Sequence, residues 1–454
     1  MSHLKIRRAG SVIVFAGLAT MAAHVRPAEA IPAFAQQTGM PCSACHIGFP
    51  QLTPFGRAFK LDGYVQGGTF PDIKNFAAMV QAGFTQLHDK VPGGMAPDFP
   101  SNNAWSVQQT SLFYGGAIDG NIGLGGFIQG TYDGIGHQVH WDNTDIRLAQ
   151  LTTVMGKHLV YGFTFNNAPG LTDLWNTLPA WGYPFIPPAL GVGPTAGIQM
   201  SALAQAVAGL GGYTALNVTP TDLFYSEFDV YKAVPNHTAF MLGAGPEAPV
   251  AGPIPYWRFA LQHTGWKGSL EVGTSGMVDH PYPAGFTHGP TDTIVDLGVD
   301  SQYQYITPKQ AFSLQASYFH ESQHWGASYP LGGAANMNDS MDMVTLTASY
   351  LWHQMFGATE TFNSITGNAD SALYAAAPIS GNANGKPNTN SFTTELDYYP
   401  FNTDGPKFFP WVNAKFFVEN TIYPTFNGLS HNYDGYGRSA QGNDVLFTGI
   451  WLVF

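Results

Sequence analysis

Apolar and polar residues alternate with a period of two through most of this 454-residue sequence. Between residues 76 and 85, apolar side chains stand at every second position, and Met79, Gln81 and Thr85 fall between them. Such alternation is typical of a β-strand whose two faces meet different surroundings. The pattern predicts a chain built mainly of strands.

Sixteen segments of the sequence carry this alternation. They are 75–87, 104–118, 121–134, 141–154, 158–166, 207–217, 222–232, 256–264, 267–278, 291–305, 309–321, 339–352, 355–365, 391–400, 409–423 and 443–454. The number is even, and the last segment ends in an aromatic residue, Phe454, as expected of a closing strand. The stretch 167–206 carries no strand pattern and is expected to be a long loop or to include a short helix through Met200–Val207.

The composition is far from that of an ordinary soluble enzyme. Charged residues make up 11% of the chain, against roughly 25% in typical soluble domains. Aromatic residues reach 14%, and there are 53 glycines. Beyond residue 30, no apolar run approaches the ~20 residues of a spanning helix. We therefore predict an all-β membrane protein, a 16-stranded antiparallel transmembrane β-barrel over 75–454; the alternative is a secreted soluble β-protein.

The connections between the predicted strands fall into two classes. Short turns are expected on the periplasmic side, at Asp119-Gly120, Gly156-Lys157, Thr219-Pro220, Gly265-Trp266, Thr307-Pro308, His353-Gln354 and a longer one near Asp404-Gly405. Long extracellular links are expected at 88–103, 167–206, 233–255, 279–290, 322–338, 366–390 and 424–442. This asymmetry is typical of outer-membrane barrels, whose outer surface contacts lipid.

The same alternation predicts which side chains face the lumen. If apolar residues face lipid, the inward set is Asp145, Arg147, Glu227, Asp229, Glu271, Asp296, Glu395, Asp397, Lys415 and Glu419. All but the Arg and the Lys are acidic, and the whole chain has a net charge of −12. Such a lining favours cations over anions, unless these residues serve only as hydrogen-bonded wall.

An export signal is predicted at residues 1–30. Lys5, Arg7 and Arg8 precede an apolar run that is too short for a comfortable membrane span. The small-x-small pattern at 28–30 then fits cleavage by signal peptidase, so that the mature chain begins near Ile31.

The stretch Cys42-Ser43-Ala44-Cys45-His46 holds the only two cysteines of the chain. Two thiols three residues apart, followed at once by an imidazole, are the pattern of covalent c-type haem attachment. Cys42 and Cys45 would bond the porphyrin and His46 would ligate the iron, so one covalently attached haem c is expected. The alternative is a redox-active or chance C-x-x-C pair.

The haem motif lies in a segment, residues 31–74, that is too short to fold by itself. Chains near ~40 residues rarely build a core without a metal, a cofactor or a partner surface. A barrel of sixteen strands is wide enough to enclose such a segment. We therefore expect a small monohaem cytochrome segment in the lumen or across its periplasmic mouth.

The second axial position of the iron has no obvious ligand within 31–74, where Met40 lies very close to the attachment site. Met79, inward-facing near the periplasmic end of the first strand, is the leading candidate, and Met343 is another. The histidines predicted in loops are His88, His280, His288, His324 and His431; they could equally be ordinary exposed residues.

The residues around the motif carry a resemblance to a known family. The stretches 34–46 and 50–60, together with 142–147 and 173–182, look like the fused monohaem cytochrome–porins of iron-oxidising bacteria. The resemblance implies an outer-membrane oxidoreductase that takes electrons from extracellular Fe(II) and passes them to a periplasmic cytochrome or copper protein. It carries the haem attachment role onto Cys42, Cys45 and His46.

Two other functions are compatible with the same sequence. One is a solute porin whose haem segment is a plug or a sensor, and the other is outward electron transfer to an external acceptor. No nucleic acid is expected as a partner, and the sequence leaves the direction of electron flow open.

Replacing His46 tests whether the haem segment, residues 31–74, and the barrel, residues 75–454, are separate parts of the chain. We expect His46→Ala to lose normal iron ligation while the barrel still inserts, because strand pairing does not depend on the cofactor. Heat-modifiable mobility on a gel reports the barrel, and haem absorbance reports the ligation. A variant that forms no heat-modifiable barrel would show that the division is wrong.

Overall fold

A closed antiparallel barrel of sixteen strands forms the body of the chain in the computed structural model, which describes residues 33–241, 250–265, 267–402 and 412–454. Each strand pairs with its neighbours in sequence, and the first strand also pairs with the last. That closing register runs from Met79 opposite Val453 to Leu87 opposite Val445. The predicted barrel is confirmed.

The strands are β1 Phe76–Leu87, β2 Asn103–Asp119, β3 Leu124–Asp133, β4 Gln138–Val154, β5 Lys157–Asn166, β6 Val207–Asn217, β7 Asp222–Ala233, β8 Ile254–Gly265, β9 Gly268–Asp279, β10 Thr293–Ile306, β11 Gln310–His324, β12 Asn338–Trp352, β13 Phe356–Gly367, β14 Thr389–Tyr398, β15 Asn413–Thr425 and β16 Val445–Val453. All sixteen predicted segments correspond to these strands. Some boundaries shift: β3 begins later than predicted because the Asp119 carboxylate caps a 3₁₀ turn over Gly120–Ile122. β4 begins earlier and β11 ends later than predicted, and β15 begins at Asn413, with positions 409–411 of its predicted segment outside the described residues.

Short helices and turns complete the described chain. They are α1 Ala33–Thr38, α2 Cys42–Cys45, α3 Pro54–Leu61, α4 Gln199–Ala202 and α5 Asn236–Met241. No helix in the described residues is both long enough and apolar enough to cross a membrane.

The outward face of the barrel is apolar. Exposed side chains on it include Leu112, Leu210, Val230, Leu261, Val272, Leu297, Val299, Leu314, Leu346, Leu396 and Val418. Near the short turns, the exposed aromatic residues Phe76, Tyr305, Tyr350, Trp352, Phe356, Tyr398 and Phe416 form a girdle. An apolar band edged by aromatic residues is the surface that an outer-membrane barrel presents to lipid. The chain is therefore an outer-membrane protein.

The two ends of the barrel differ as predicted. At one end, which we call the short-turn end, two or three residues join most strands. Met155 and Gly156, for example, both have positive φ angles, 51° and 75°, which suit a tight hairpin. The other end, the long-loop end, carries the long links. The predicted turn near Asp404-Gly405, Trp266 and the predicted signal at 1–30 lie outside the described residues.

All ten side chains predicted to face the lumen are buried inside the barrel. Two stretches of the described chain lie in the lumen and bond to its wall. One is the N-terminal segment, residues 33–75, and the other is the inserted loop, residues 167–206. Gln315, for example, donates to the backbone carbonyls of Trp175 and Asn176 at 2.9 and 2.8 Å.

The inserted loop corrects the expectation that 167–206 is an extracellular link. It starts and ends at the long-loop end but folds back into the barrel, where its polar groups bond to the wall. The Tyr183 hydroxyl donates to Glu395 at 2.5 Å and the Thr177 hydroxyl to Asp300 at 2.6 Å. The helix that we allowed through Met200–Val207 shortens to α4, because Val207 already pairs in β6.

A charge on the lipid face should destabilise the barrel. Val299 lies near the middle of β10 and its side chain is exposed to lipid. We expect Val299→Arg to lower the free energy of unfolding by about 2–4 kcal/mol, the cost of arginine near the bilayer midplane. Urea unfolding in lipid vesicles measures this, with Val299→Ala as the control. Equal stability of the two variants would contradict the assigned orientation.

Candidate functional site

Helix α3 anchors the N-terminal segment to the barrel wall. Thr53 caps it by accepting a hydrogen bond from the Gly56 amide, and Pro54 occupies its first position, where proline is favoured. Arg57 on this helix donates to Gln302 and Gln304 of β10, at 3.0 and 2.7 Å. Burial lowers the pKa of Arg57 to about 10.

Other contacts bind the segment to distant parts of the wall. The Tyr64 hydroxyl donates to Asp145 of β4 at 2.6 Å, and Gln51 donates to Ser313 of β11 at 2.7 Å. Gln37 accepts from the Ala117 amide of β2 at 2.9 Å. Contacts on several sides of the barrel show that the segment lies within the lumen, near the short-turn end.

The Cys-x-x-Cys-His residues form a single turn, α2, closed by a hydrogen bond from the His46 amide to the Cys42 carbonyl at 2.8 Å. Helix α3 packs closely on this turn. A Cβ added at Gly56 would lie 2.2 Å from the Cys45 carbonyl oxygen, so this position requires glycine. The pairing of α2 and α3 holds the motif in one orientation.

The His46 ring is set by a backbone contact. Its Nδ1 lies 3.1 Å from the Pro50 carbonyl oxygen. A carbonyl can only accept, so Nδ1 carries the hydrogen and Nε2 keeps a free lone pair. The residue is half-buried, and burial lowers the pKa of His46 to about 4. The imidazole is therefore neutral near pH 7, which is the form that ligates a metal.

Both thiols are free, and no disulfide joins them. Burial raises the pKa of Cys42, and burial raises that of Cys45 to about 12. A thiol in such surroundings is a poor nucleophile by itself.

A cavity of about 440 Å³ opens beside the motif, within the ~300–1,000 Å³ range of sites that hold small molecules and cofactors. The N-terminal segment, the inserted loop and the wall strands β1–β4 and β16 all contribute to its lining. Its apolar and aromatic lining includes Phe34, Phe49, Leu52, Phe113, Phe127, Trp181, Phe185 and Trp451. Cys42, Cys45 and His46 all line the same space.

These residues fit a covalent haem c. Two thiols and a neutral imidazole with a free Nε2 face a mostly apolar cavity, and these are the groups that would bond the porphyrin edge and the iron. Met79 and Met40 also line this cavity, whereas Met343 lines a separate one beside the inserted loop.

The inserted loop closes the cavity, a role that the alternation pattern did not reveal. The Lys60 ammonium of α3 donates to the carbonyls of Leu171 and Asp173 at 2.8 and 3.1 Å. It also lies 5.1 Å from the ring of Trp181. The signals in this stretch were two tryptophans, Trp175 and Trp181, and the family resemblance over 173–182.

A buried ion network holds the loop to the wall. The Arg258 guanidinium of β8 lies 3.0 Å from Asp173 of the loop, 2.9 Å from Asp300 and 3.4 Å from Glu271. All four side chains are fully buried. The acidic residues of the lumen therefore serve partly as hydrogen-bonded wall.

The candidate loop histidines do not line the cavity. His88 pairs with Asp89 at 3.0 Å. His324, which was predicted in a loop, is instead the last residue of β11 and lies 2.8 Å from Asn338. His280, His288 and His431 lie in loops. Within the part of the chain that the structure describes, no three His, Cys, Asp or Glu side chains converge as a metal-ion site.

Solved structures of outer-membrane proteins resemble the barrel. Against OprB of Pseudomonas putida, the identity is 12%, 84% of this chain and 94% of that chain are covered, and the TM-score is 0.46. OmpF of Salmonella typhi in complex with daunomycin is 11% identical, with 84% of this chain and 97% of that chain covered and a TM-score of 0.45. A loop L8 deletion mutant of OmpT from Vibrio cholerae is 9% identical, with 84% of this chain and 97% of that chain covered and a TM-score of 0.42.

No protein-family model matches the sequence, and neither does any curated protein. The class of the chain is defined by its own strand pairing and its lipid-facing surface. It is a porin-like outer-membrane β-barrel. Its own N-terminal segment and inserted loop lie in its lumen.

Lys60 gives the assembled lumen a pH dependence. Burial lowers its pKa from the usual 10.5 to about 8. Between pH 8 and pH 10.5, the unfolded chain binds more protons than the folded chain. The free energy of unfolding therefore rises with pH across this range. We expect wild type to gain up to about 3 kcal/mol relative to Lys60→Met between pH 8 and pH 10.5.

Urea unfolding of both proteins at several pH values measures this difference. Lys309→Met, which removes a lysine exposed in a turn, controls for the loss of one positive charge. Parallel stability curves for wild type and Lys60→Met would show that the Lys60 ammonium is not buried by the loop.

Proposed function

We propose that the chain carries one covalent haem c in its lumen and transfers single electrons across the outer membrane. The observation that supports this most is the position of Cys42, Cys45 and His46 together on the wall of an apolar cavity within a lipid-spanning barrel. A haem bound there would supply one-electron redox chemistry to a protein that otherwise does not conduct electrons across the membrane.

The chain's own residues orient and shelter that site. The Pro50 carbonyl fixes the His46 ring so that Nε2 is free, and such outer contacts tune a metal ligand. Arg57 holds α3 against β10, and Lys60 holds the inserted loop over the cavity. The apolar lining lowers the local dielectric, which helps to set a redox potential.

Extracellular Fe(II) is the proposed electron donor, and a periplasmic cytochrome or copper protein the acceptor. Ferrous iron gives up one electron, which matches one haem. The chain carries a net charge of −12. A net negative charge attracts cations, which is consistent with a cationic donor.

A solute porin is the second candidate, and the fold taken alone favours it. The wall is a sixteen-stranded porin-like barrel, which is wide enough for an aqueous channel. The N-terminal segment would then be a plug. Against this candidate, the hydrogen bonds from Arg57 and Arg258 tie both luminal segments to the wall. Outward electron transfer would use the same site in the opposite direction.

Mixing oxidised full-length protein with Fe(II) tests the first candidate. We expect the haem absorbance to change to that of the reduced form within seconds to minutes. The double variant Cys42→Ser, Cys45→Ser, which has no attachment site, controls for absorbance changes of iron alone. Liposome swelling with sugars is measured on the same preparations.

The outcomes separate the candidates. If the protein carries covalent haem but Fe(II) does not reduce it, the iron-oxidising function is excluded. Sugar uptake by wild-type protein at the rate of an open porin supports the second candidate. A haem with a low potential, reduced only by a strong reductant, supports outward transfer.

A further inference from the structure

We propose that the thioether of Met79 is the second axial ligand of the haem iron. The first barrel strand, rather than the N-terminal segment, would then complete the coordination that His46 begins. This inference rests on the proposed function, because it requires a haem on Cys42 and Cys45.

Several side chains that line the cavity could in principle ligate iron, but most are already bonded. The Lys60 ammonium donates to two carbonyls. The Tyr64 hydroxyl donates to Asp145, which also accepts from Arg147 at 2.9 Å. Asp142 accepts from Thr131 and Gln205 at 2.6 and 3.0 Å. Recruiting any of them would break a hydrogen bond that is buried or partly buried.

The Met79 side chain is not held by a comparable hydrogen bond. Its side chain is 3% exposed and points inward from β1, between the cavity-lining residues Ala77 and Gln81. Its only described partner is the Gln81 amide, whose nitrogen lies 3.7 Å from the sulfur. A thioether is a weak acceptor, so exchanging this contact for iron costs little.

The other two methionines are less well placed. Met40 lines the cavity but is 39% exposed, and only Pro41 separates it from Cys42. It would therefore lie beside the porphyrin edge that the thioethers hold, not over the iron. Met343 lines a different cavity, next to Thr177 and Leu178 of the inserted loop.

Ligation by Met79 would have two consequences. Histidine–methionine coordination raises the reduction potential of a haem, which suits a site that accepts electrons from a weak reductant. It would also make the iron a link between the N-terminal segment and the barrel wall, in addition to the hydrogen bonds of Arg57 and Tyr64.

The test uses full-length protein matured with covalent haem, and haem content is first measured after denaturation. We expect ferric wild type to show the sulfur-to-iron charge-transfer absorbance of a methionine ligand. Met79→Leu, which keeps the volume and apolar character of the side chain, should lose that absorbance and bind carbon monoxide in the ferrous state. Met79→His should remain low-spin with a lower midpoint potential.

Met40→Leu and Met343→Leu are the matched controls, and both should keep the wild-type absorbance and potential. The proposal is overturned if Met79→Leu retains the absorbance, or if Met40→Leu or Met343→Leu loses it. Wild-type protein without covalent haem would instead overturn the proposed function itself. The haem measurement on wild type thus separates the two failures.

Discussion

The inward wall of this barrel is polar and charged, and the need of these buried groups for hydrogen-bond partners shapes the rest of the structure. A buried polar group left unpaired costs about 1–3 kcal/mol. Here the chain supplies partners for several of these groups from two of its own stretches. Arg258 reaches Asp173 of the inserted loop, and Gln304 of β10 bonds both Arg57 and the Leu52 carbonyl of the N-terminal segment. These contacts hold both stretches inside the lumen.

The cavity exists because three parts of the chain meet around it. The N-terminal segment contributes Cys42, Cys45 and His46, the barrel wall contributes Met79, and the inserted loop contributes Trp181. The N-terminal segment is close to the ~40-residue size at which a chain rarely makes its own core. Inside the barrel it does not need one. The same enclosure keeps His46 neutral, since burial lowers its pKa to about 4.

The strands could be predicted because their signal is local. The alternation at Met79, Gln81 and Thr85 follows from one strand having lipid on one side and lumen on the other. Predicted segment 158–166 differs from β5 by one residue at its start. One shift arose where a side chain acts on nearby backbone, as Asp119 does before β3. The inserted loop could not be predicted in this way, because its conformation depends on partners such as Asp300 and Glu395 that are far away in sequence.

The sequence by itself determined the barrel, the inward set of charged residues and the Cys42-x-x-Cys45-His46 motif, since each depends on spacing along the chain. It also ranked Met79 ahead of Met343 among the inward-facing methionines, from the position of Met79 near the periplasmic end of the first strand. Only the tertiary structure placed Met79 in the cavity with His46 and Met343 in another. The reason is physical: periodicity decides which face a residue occupies, but barrel closure and the packing of the two luminal segments decide what that residue faces.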